Sequence, residues 1–161
     1  MINNLSTYFW FESYHMRRAT DADVPQLVAI INAAYSYQDE AMGMPRTSQD
    51  HLTKRISETD FYVVKGAEQL VGCVYLESCE ESLHFGLLTV IPDLRGTGLA
   101  PSIIEAIEKY AISNTYHFID IDYMSLAPWL KKYYEKYGFI ETGDTTVWGS
   151  IDLVRMRKRL G

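Results

Sequence analysis

The sequence is short of nearly everything that advertises a specialised architecture. It holds two cysteines in 161 residues, Cys73 and Cys79, with five residues between them and no Cys or His cluster nearby. That pattern spells neither a CxxC redox pair nor a zinc-ligand set, so no metal is expected and both thiols are expected to be buried or idle. Long apolar runs are missing too. No stretch reaches the roughly 20 residues needed to span a bilayer, which argues against a membrane partner. Basic charge is scarce: 15 Lys and Arg against 21 Asp and Glu give a net charge of -6. Nucleic-acid binding rests on neutralising phosphates with Lys and Arg, so this balance counts against it. The stretch from Met1 to His15 is aromatic but contains Glu12 and lacks both a basic start and a long apolar centre. It does not read as a secretory signal, and a cytoplasmic location is expected. Repeats, low-complexity tracts and interdomain linkers are also lacking.

What is present is the ordinary material of one globular domain: 47% hydrophobic and 22% charged residues, in a chain long enough to bury well over half of its unfolded surface. From Asp23, the run VPQLVAIINAAY sets Leu27, Ile30, Ile31 and Ala34 at helical spacing, with Asp23 placed to cap and Pro25 tolerated in the first turn. Thr47 and Asp50 stand at capping-box spacing before Leu52 and Ile56, a second helix, and SYQDEAMGMPR between the two reads as a loop. Phe61 to Lys65, Gln69 to Glu77 and Ser82 to Val90 form an antiparallel meander. In the third of these strands, Leu83, Phe85 and Leu87 alternate with Ser82, His84 and Gly86 until Leu88 breaks the pattern, which predicts a β-bulge. A helix from about Gly98, a strand from Phe118 to Ser125 and a helix from Pro128 to Tyr137 closed by Gly138 follow. A hairpin of Phe139 to Gly143 and Asp152 to Arg159 ends the chain, with Asp144 to Ser150 as its loop. The expected class is mixed α/β: a mostly antiparallel sheet flanked by helices.

Arg95-Gly96-Thr97-Gly98-Leu99-Ala100 stands between a strand and a helix. Glycines there let the backbone approach a ligand, unpaired amides at the helix start favour an anion, and Arg95 adds a charge-assisted contact. The segment is suited to a pyrophosphate. Pro101 occupies the place where a dinucleotide fingerprint needs a third small residue, and the GK[ST] ending of a P-loop is absent.

The same segment resembles the R/Q-x-x-G-x-G/A signature of the GNAT N-acetyltransferases, with Arg95, Gly98 and Ala100 at its defining positions. MRRATDADVPQLVAIINAAY is similar to that family's first strand and helix, and KKYYEKYGF to its late Y-x-x-x-G-F segment, so the resemblance covers 16–161 and leaves 1–15 as an N-terminal extension. It implies a twisted sheet of six to seven strands in which the fourth and fifth splay apart to admit acetyl-coenzyme A as co-substrate. Leu88 and Val90 would offer backbone to its pantetheine arm, Arg95, Gly96, Thr97, Gly98, Leu99 and Ala100 would hold its pyrophosphate, and Lys131 or Lys132 would approach the nucleotide. Tyr134 falls at the family's general-acid position. The asparagine that many relatives carry seven residues earlier is Ala127 here, which puts one cofactor contact in doubt.

Acetyl transfer needs a neutral amine; the resemblance implies a strand carboxylate or an ordered water as base, and the strand residues here that could serve are His84, which titrates near neutrality, and Glu77. Tyr35, Tyr37, Asp39 and Glu40 are expected to form an aromatic and acidic rim around a small-molecule or peptide amine, with the final loop, Asp144 to Ser150, and its Trp148 closing the other side. A protein N-terminal or lysine acetyltransferase, and a non-catalytic acyl-coenzyme A sensor, remain the alternatives. Tyr8, Phe9, Trp10 and Phe11 either cover a neighbouring copy, making a homodimer, or pack on their own domain.

Overall fold

The computed structural model describes residues 4–161. A seven-stranded sheet runs through the middle of the molecule, made of β1 (His15–Arg18), β2 (Asp60–Lys65), β3 (Leu70–Cys79), β4 (Ser82–Val90), β5 (Phe118–Met124), β6 (Ile140–Trp148) and β7 (Ile151–Arg159). The strand order is β1-β2-β3-β4-β5-β7-β6, and every pairing is antiparallel except that of β4 with β5. On one face lie α1 (Val24–Ala34) and α3 (Gln49–Glu58), connected through the one-turn α2 (Asp39–Met42). On the other face lie α4 (Leu99–Ser113) and α5 (Pro128–Glu135).

Strand β2 shows why the sheet is a middle layer. Phe61 and Val63 pack with Leu27, Ile31 and Leu52 of α1 and α3, whereas Tyr62 and Val64 pack with Leu99, Ile103 and Ile107 of α4. Burial on both faces is what turns alternation into the near-continuous apolar run DFYVVK. Much of the described N-terminal extension packs on its own domain, while Trp10 stays 78% exposed. Leu5 is fully buried, its amide donates to the Tyr62 hydroxyl at 3.2 Å, and Tyr8 meets Tyr110 of α4 edge-on. Burying one leucine in this way is worth about 1.5–3 kcal/mol.

Four local expectations need correction. Asp23 does not cap α1 with its side chain. Its carboxylate instead accepts the Arg17 guanidinium in two bonds, at 2.7 and 2.8 Å, and the Thr20 amide at 2.8 Å. The N-cap of α3 is Ser48, whose hydroxyl accepts the His51 amide, while Thr47 is clamped by two bonds to the Asn32 side chain. Part of the SYQDEAMGMPR loop is helical, in a single 3-10 turn at Ser36–Gln38 followed by α2. Finally, β6 continues through the expected loop to Trp148. The turn-like residues from Thr142 to Asp144 are a bulge in an edge strand, between the pairings of Glu141 with Met156 and of Thr145 with Val154.

Candidate active site

The parallel pairing of β4 with β5 lasts three residues, Ser82 to His84 against Phe118 to Asp120. Beyond it β5 keeps its antiparallel partner β7, but among the described residues β4 has no partner on that side from Phe85 to Val90. Arg157 pins the point of divergence. From β7 it donates two bonds to buried Asp120 on β5, at 2.7 and 3.0 Å, and one to the Ser82 hydroxyl on β4 at 3.1 Å.

The expected bulge lies just past that point. Cys73 pairs with Thr89 and Tyr75 with Gly86, so Leu87 and Leu88 together face the single residue Val74. Leu87 has a φ of 52°, uncommon for a side chain of its size, and its carbonyl turns inward to accept the Thr89 hydroxyl at 2.9 Å and the Cys73 thiol at 3.4 Å. Cys73 is buried, as expected, and has a structural part. Burial raises its pKa to about 12, so it stays a neutral donor that holds the bulge. The insertion changes the phase of the strand. Leu83 and Phe85 pack toward α4, whereas Leu87 packs in the α1 and α3 layer. Ile91 donates its amide to Val71, so Val90, one residue earlier, directs its own amide and carbonyl away from β3 into the gap. The Leu88 carbonyl accepts the Tyr35 hydroxyl at 3.1 Å.

The gap is a cleft of about 630 Å³ lined by Leu88, Val90, Arg95, Ala100, Tyr133 and Tyr134, among others. At its outer end a hollow of about 420 Å³ shares Val90, Arg95, Ala100 and Tyr133 with it and passes over the start of α4. Gly96 and Gly98 have φ of 78° and 94°, and a Cβ on Gly96 would meet nothing within 4 Å. Among the described residues, the amides of Gly96, Gly98, Leu99 and Ala100 find no acceptor, and Pro101 has no amide to place. Four free donors at a helix start, with exposed Arg95 beside them, fit a diphosphate. Leu99 offers only its main chain, because its side chain is fully buried, and the Thr97 hydroxyl is spent on the Leu94 carbonyl. Lys132 is exposed and lines neither space, and Lys131 reaches Glu141 at 3.6 Å instead.

At its inner end the cleft meets a chamber of about 210 Å³, and Tyr35, Tyr37, Leu130 and Tyr134 line both. Tyr134 is packed edge-on to Phe85 and Phe139, and burial raises its pKa well above 10. His84 faces the chamber with its Nδ1 buried and unpartnered, and burial lowers its pKa below 6.5. Glu77 and Glu40 are exposed and line neither space, so of the expected substrate rim only Tyr35 and Tyr37 are in place. The sequence reading missed Arg46, Arg55, Tyr75 and Asp122, which line the chamber, and Trp129, which meets Tyr37 edge-on across the cleft. No local motif marks any of them.

Solved structures with this architecture are numerous. One is a Streptococcus mutans protein, with 21% identity over 91% of this chain and 99% of that one and a TM-score of 0.74. A ribosomal-protein-alanine N-acetyltransferase from Brucella melitensis has 20% identity, 90% and 99% coverage and a TM-score of 0.68. The PaiA N-acetyltransferase of Thermoplasma acidophilum, solved with coenzyme A, has 14% identity, 91% and 99% coverage and a TM-score of 0.71. At these identities they establish the fold alone. No curated protein sequence matches the chain. The family profile described as "Acetyltransferase (GNAT) domain" matches 31–160, and the chain therefore belongs to the GNAT acetyltransferase family.

Proposed function

We propose that the protein moves an acetyl group from acetyl-coenzyme A to the nitrogen of a small primary amine, by direct transfer and without a covalent enzyme intermediate. The observation that carries this reading is the position of Tyr134, in the wall shared by the outer cleft and the inner chamber. A donor and an acceptor entering from opposite ends would meet there.

The co-substrate supplies an activated acetyl thioester. The main chain does most of the holding: the amides before α4 take the diphosphate, and the free edge of β4 at Val90 pairs with the pantetheine arm as an added strand would. His84 takes a proton from the amine, and burial suits it to the task because its imidazole stays neutral at physiological pH. The nitrogen attacks the thioester carbonyl, a C–N bond forms, and the C–S bond breaks. The phenolic proton of Tyr134 goes to the departing sulfur. Its raised pKa keeps that proton in place until thiolate charge develops beside it.

Calorimetry with acetyl-coenzyme A, followed by thiol release over a panel of amines, tests the reading. Saturable binding and amine-dependent release are expected. Tyr134→Phe is expected to lower kcat about 100-fold while leaving cofactor affinity within about twofold, because one hydroxyl is removed and the ring packing is kept. Absence of binding overturns the assignment, and binding without release from any amine leaves a sensor.

A further inference from the structure

Arg17, Arg18, Arg155 and Arg157 each reach a carboxylate within 2.8 Å. Arg46 and Arg55, which line the inner chamber, reach none among the described residues. They meet ring faces instead. The Arg46 guanidinium carbon lies 4.4 Å from the centre of the Trp148 ring and 5.8 Å from that of Tyr35, and the Arg55 carbon lies 4.8 Å over Tyr75. The Nε of Arg46 is buried without an acceptor. Ring faces offset only part of the cost of burying a guanidinium, and they leave its planar donors free.

The other charged and titratable groups of the chamber do not answer this charge. Asp122 on β5 is held by Arg155 at 2.6 Å, and His51 on α3 and His84 on β4 bring no negative charge. Burial and the neighbouring Arg55 both press on the Arg46 cation. Among the described residues, the chamber has positive charge, two open sets of donors and no carboxylate left to answer them.

Its dimensions limit what could supply one. The volume is about 210 Å³, below the usual range of ligand pockets. The β6–β7 turn also reaches α2: the Ser150 hydroxyl donates to the Ala41 carbonyl at 2.8 Å, and a Cβ on Gly149 would come within 2.8 Å of Met42. That contact joins the two walls where an extended peptide would need an open groove.

We propose that the acceptor is a small primary amine that also carries an oxyanion, a carboxylate or a phosphate-type group, with the oxyanion held by Arg46 and Arg55 and the amine directed to His84 and Tyr134. The proposal rests on the acetyl-transfer reading and narrows its substrate class. It replaces the acidic rim suited to a polyamine with a cationic one suited to an amino acid or an amino phosphate.

The test pairs amines that differ only in the anion: alanine against alaninamide, and O-phosphoethanolamine against ethanolamine, with spermidine as the cationic extreme. Two readouts are taken, thiol release with acetyl-coenzyme A and quenching of tryptophan fluorescence by the amine alone, since Trp148 stacks on Arg46. At least one anionic member is expected to exceed its neutral partner by about 10- to 100-fold in kcat/KM and to quench, the span set by a hydrogen bond to a charged group. Which pair responds distinguishes carboxylate from phosphate. Arg46→Met and, separately, Arg55→Met are expected to erase that preference while acetyl-coenzyme A affinity is kept, which also shows the variants folded. Equal or better use of the neutral amines or spermidine, or a preference that survives both variants, overturns the proposal. Failure of acetyl-coenzyme A to bind while alanine or O-phosphoethanolamine still quenches fluorescence, and no longer does so in the arginine variants, would sink the acetyl-transfer reading alone.

Discussion

The two ends of the channel that meets at Tyr134 are built from different material. The outer end is main chain: four free amides around Gly98 and the unpaired edge of β4. The inner end is side chain: Arg46 ahead of α3, Arg55 on α3, Tyr75 on β3, His84 on β4 and Trp148 on β6. A main-chain site holds what all donors of the group share. A side-chain site discriminates, and it can change with the acceptor while the fold stays the same.

The sharpest way to separate the two ends is Gly98→Val. At a φ of 94° a β-branched residue is strained by about 1–3 kcal/mol, and relief of that strain moves the amides of Gly98 and Leu99. Losing two donors to a charged group as well, at about 1.5–3 kcal/mol each, is expected to weaken acetyl-coenzyme A binding by more than about 100-fold in calorimetry. Fluorescence quenching by the acceptor at the far end should be unchanged. Parallel loss of both would mean that the ends are not independent.

His84→Gln probes the junction. Burial holds the His84 pKa below 6.5, so the neutral, base form persists to lower pH than for a free histidine, and kcat/KM should fall only as pH drops through that depressed value. The glutamine variant is expected to lose that limb of the pH profile and about 100-fold in turnover near neutrality. A limb that survives unchanged would assign the base to a water or to the amine itself.

The same division of material explains what could be read from the sequence. Gly96, Gly98 and Pro101 lie close together in the chain and a local backbone geometry suits them, so the glycine turn opening α4 was legible. So was the bulge, because Leu88 breaks the alternation of β4. The inner site was legible only in part: Tyr35, Tyr37, His84 and Trp148 were within reach of the sequence, but the two arginines were not. Arg46 sits in a stretch that reads as solvated loop, and Arg55 reads as the polar side of an amphipathic helix. The meeting of all these residues depends on the sheet order β1-β2-β3-β4-β5-β7-β6, which brings segments about a hundred residues apart around one space, and no local spacing encodes it. Glu40 and Glu77 have suitable chemistry but fail on geometry, since both side chains face solvent.

The smallest expected effect, and the most local, comes from Gly86→Ala. A Cβ at Gly86 would lie 2.5 Å from the Tyr75 ring, inside any tolerable contact, while the backbone there needs no special φ. The ring must swing, and it is packed against Phe61 on one side and carries the Arg55 guanidinium at 4.8 Å. Overpacking of this kind costs about 1–3 kcal/mol of stability, readable as a lowered melting temperature. Displacing the platform under Arg55 should raise the acceptor KM by about 3- to 10-fold, the worth of one partly desolvated cation–π contact. Cofactor affinity should not move, because Gly86 precedes the bulge and the free backbone at Val90 follows it. A variant that loses stability but keeps its acceptor KM would show that Tyr75 fills space in the chamber without positioning Arg55, and would leave Arg46 and its Trp148 platform to carry the discrimination.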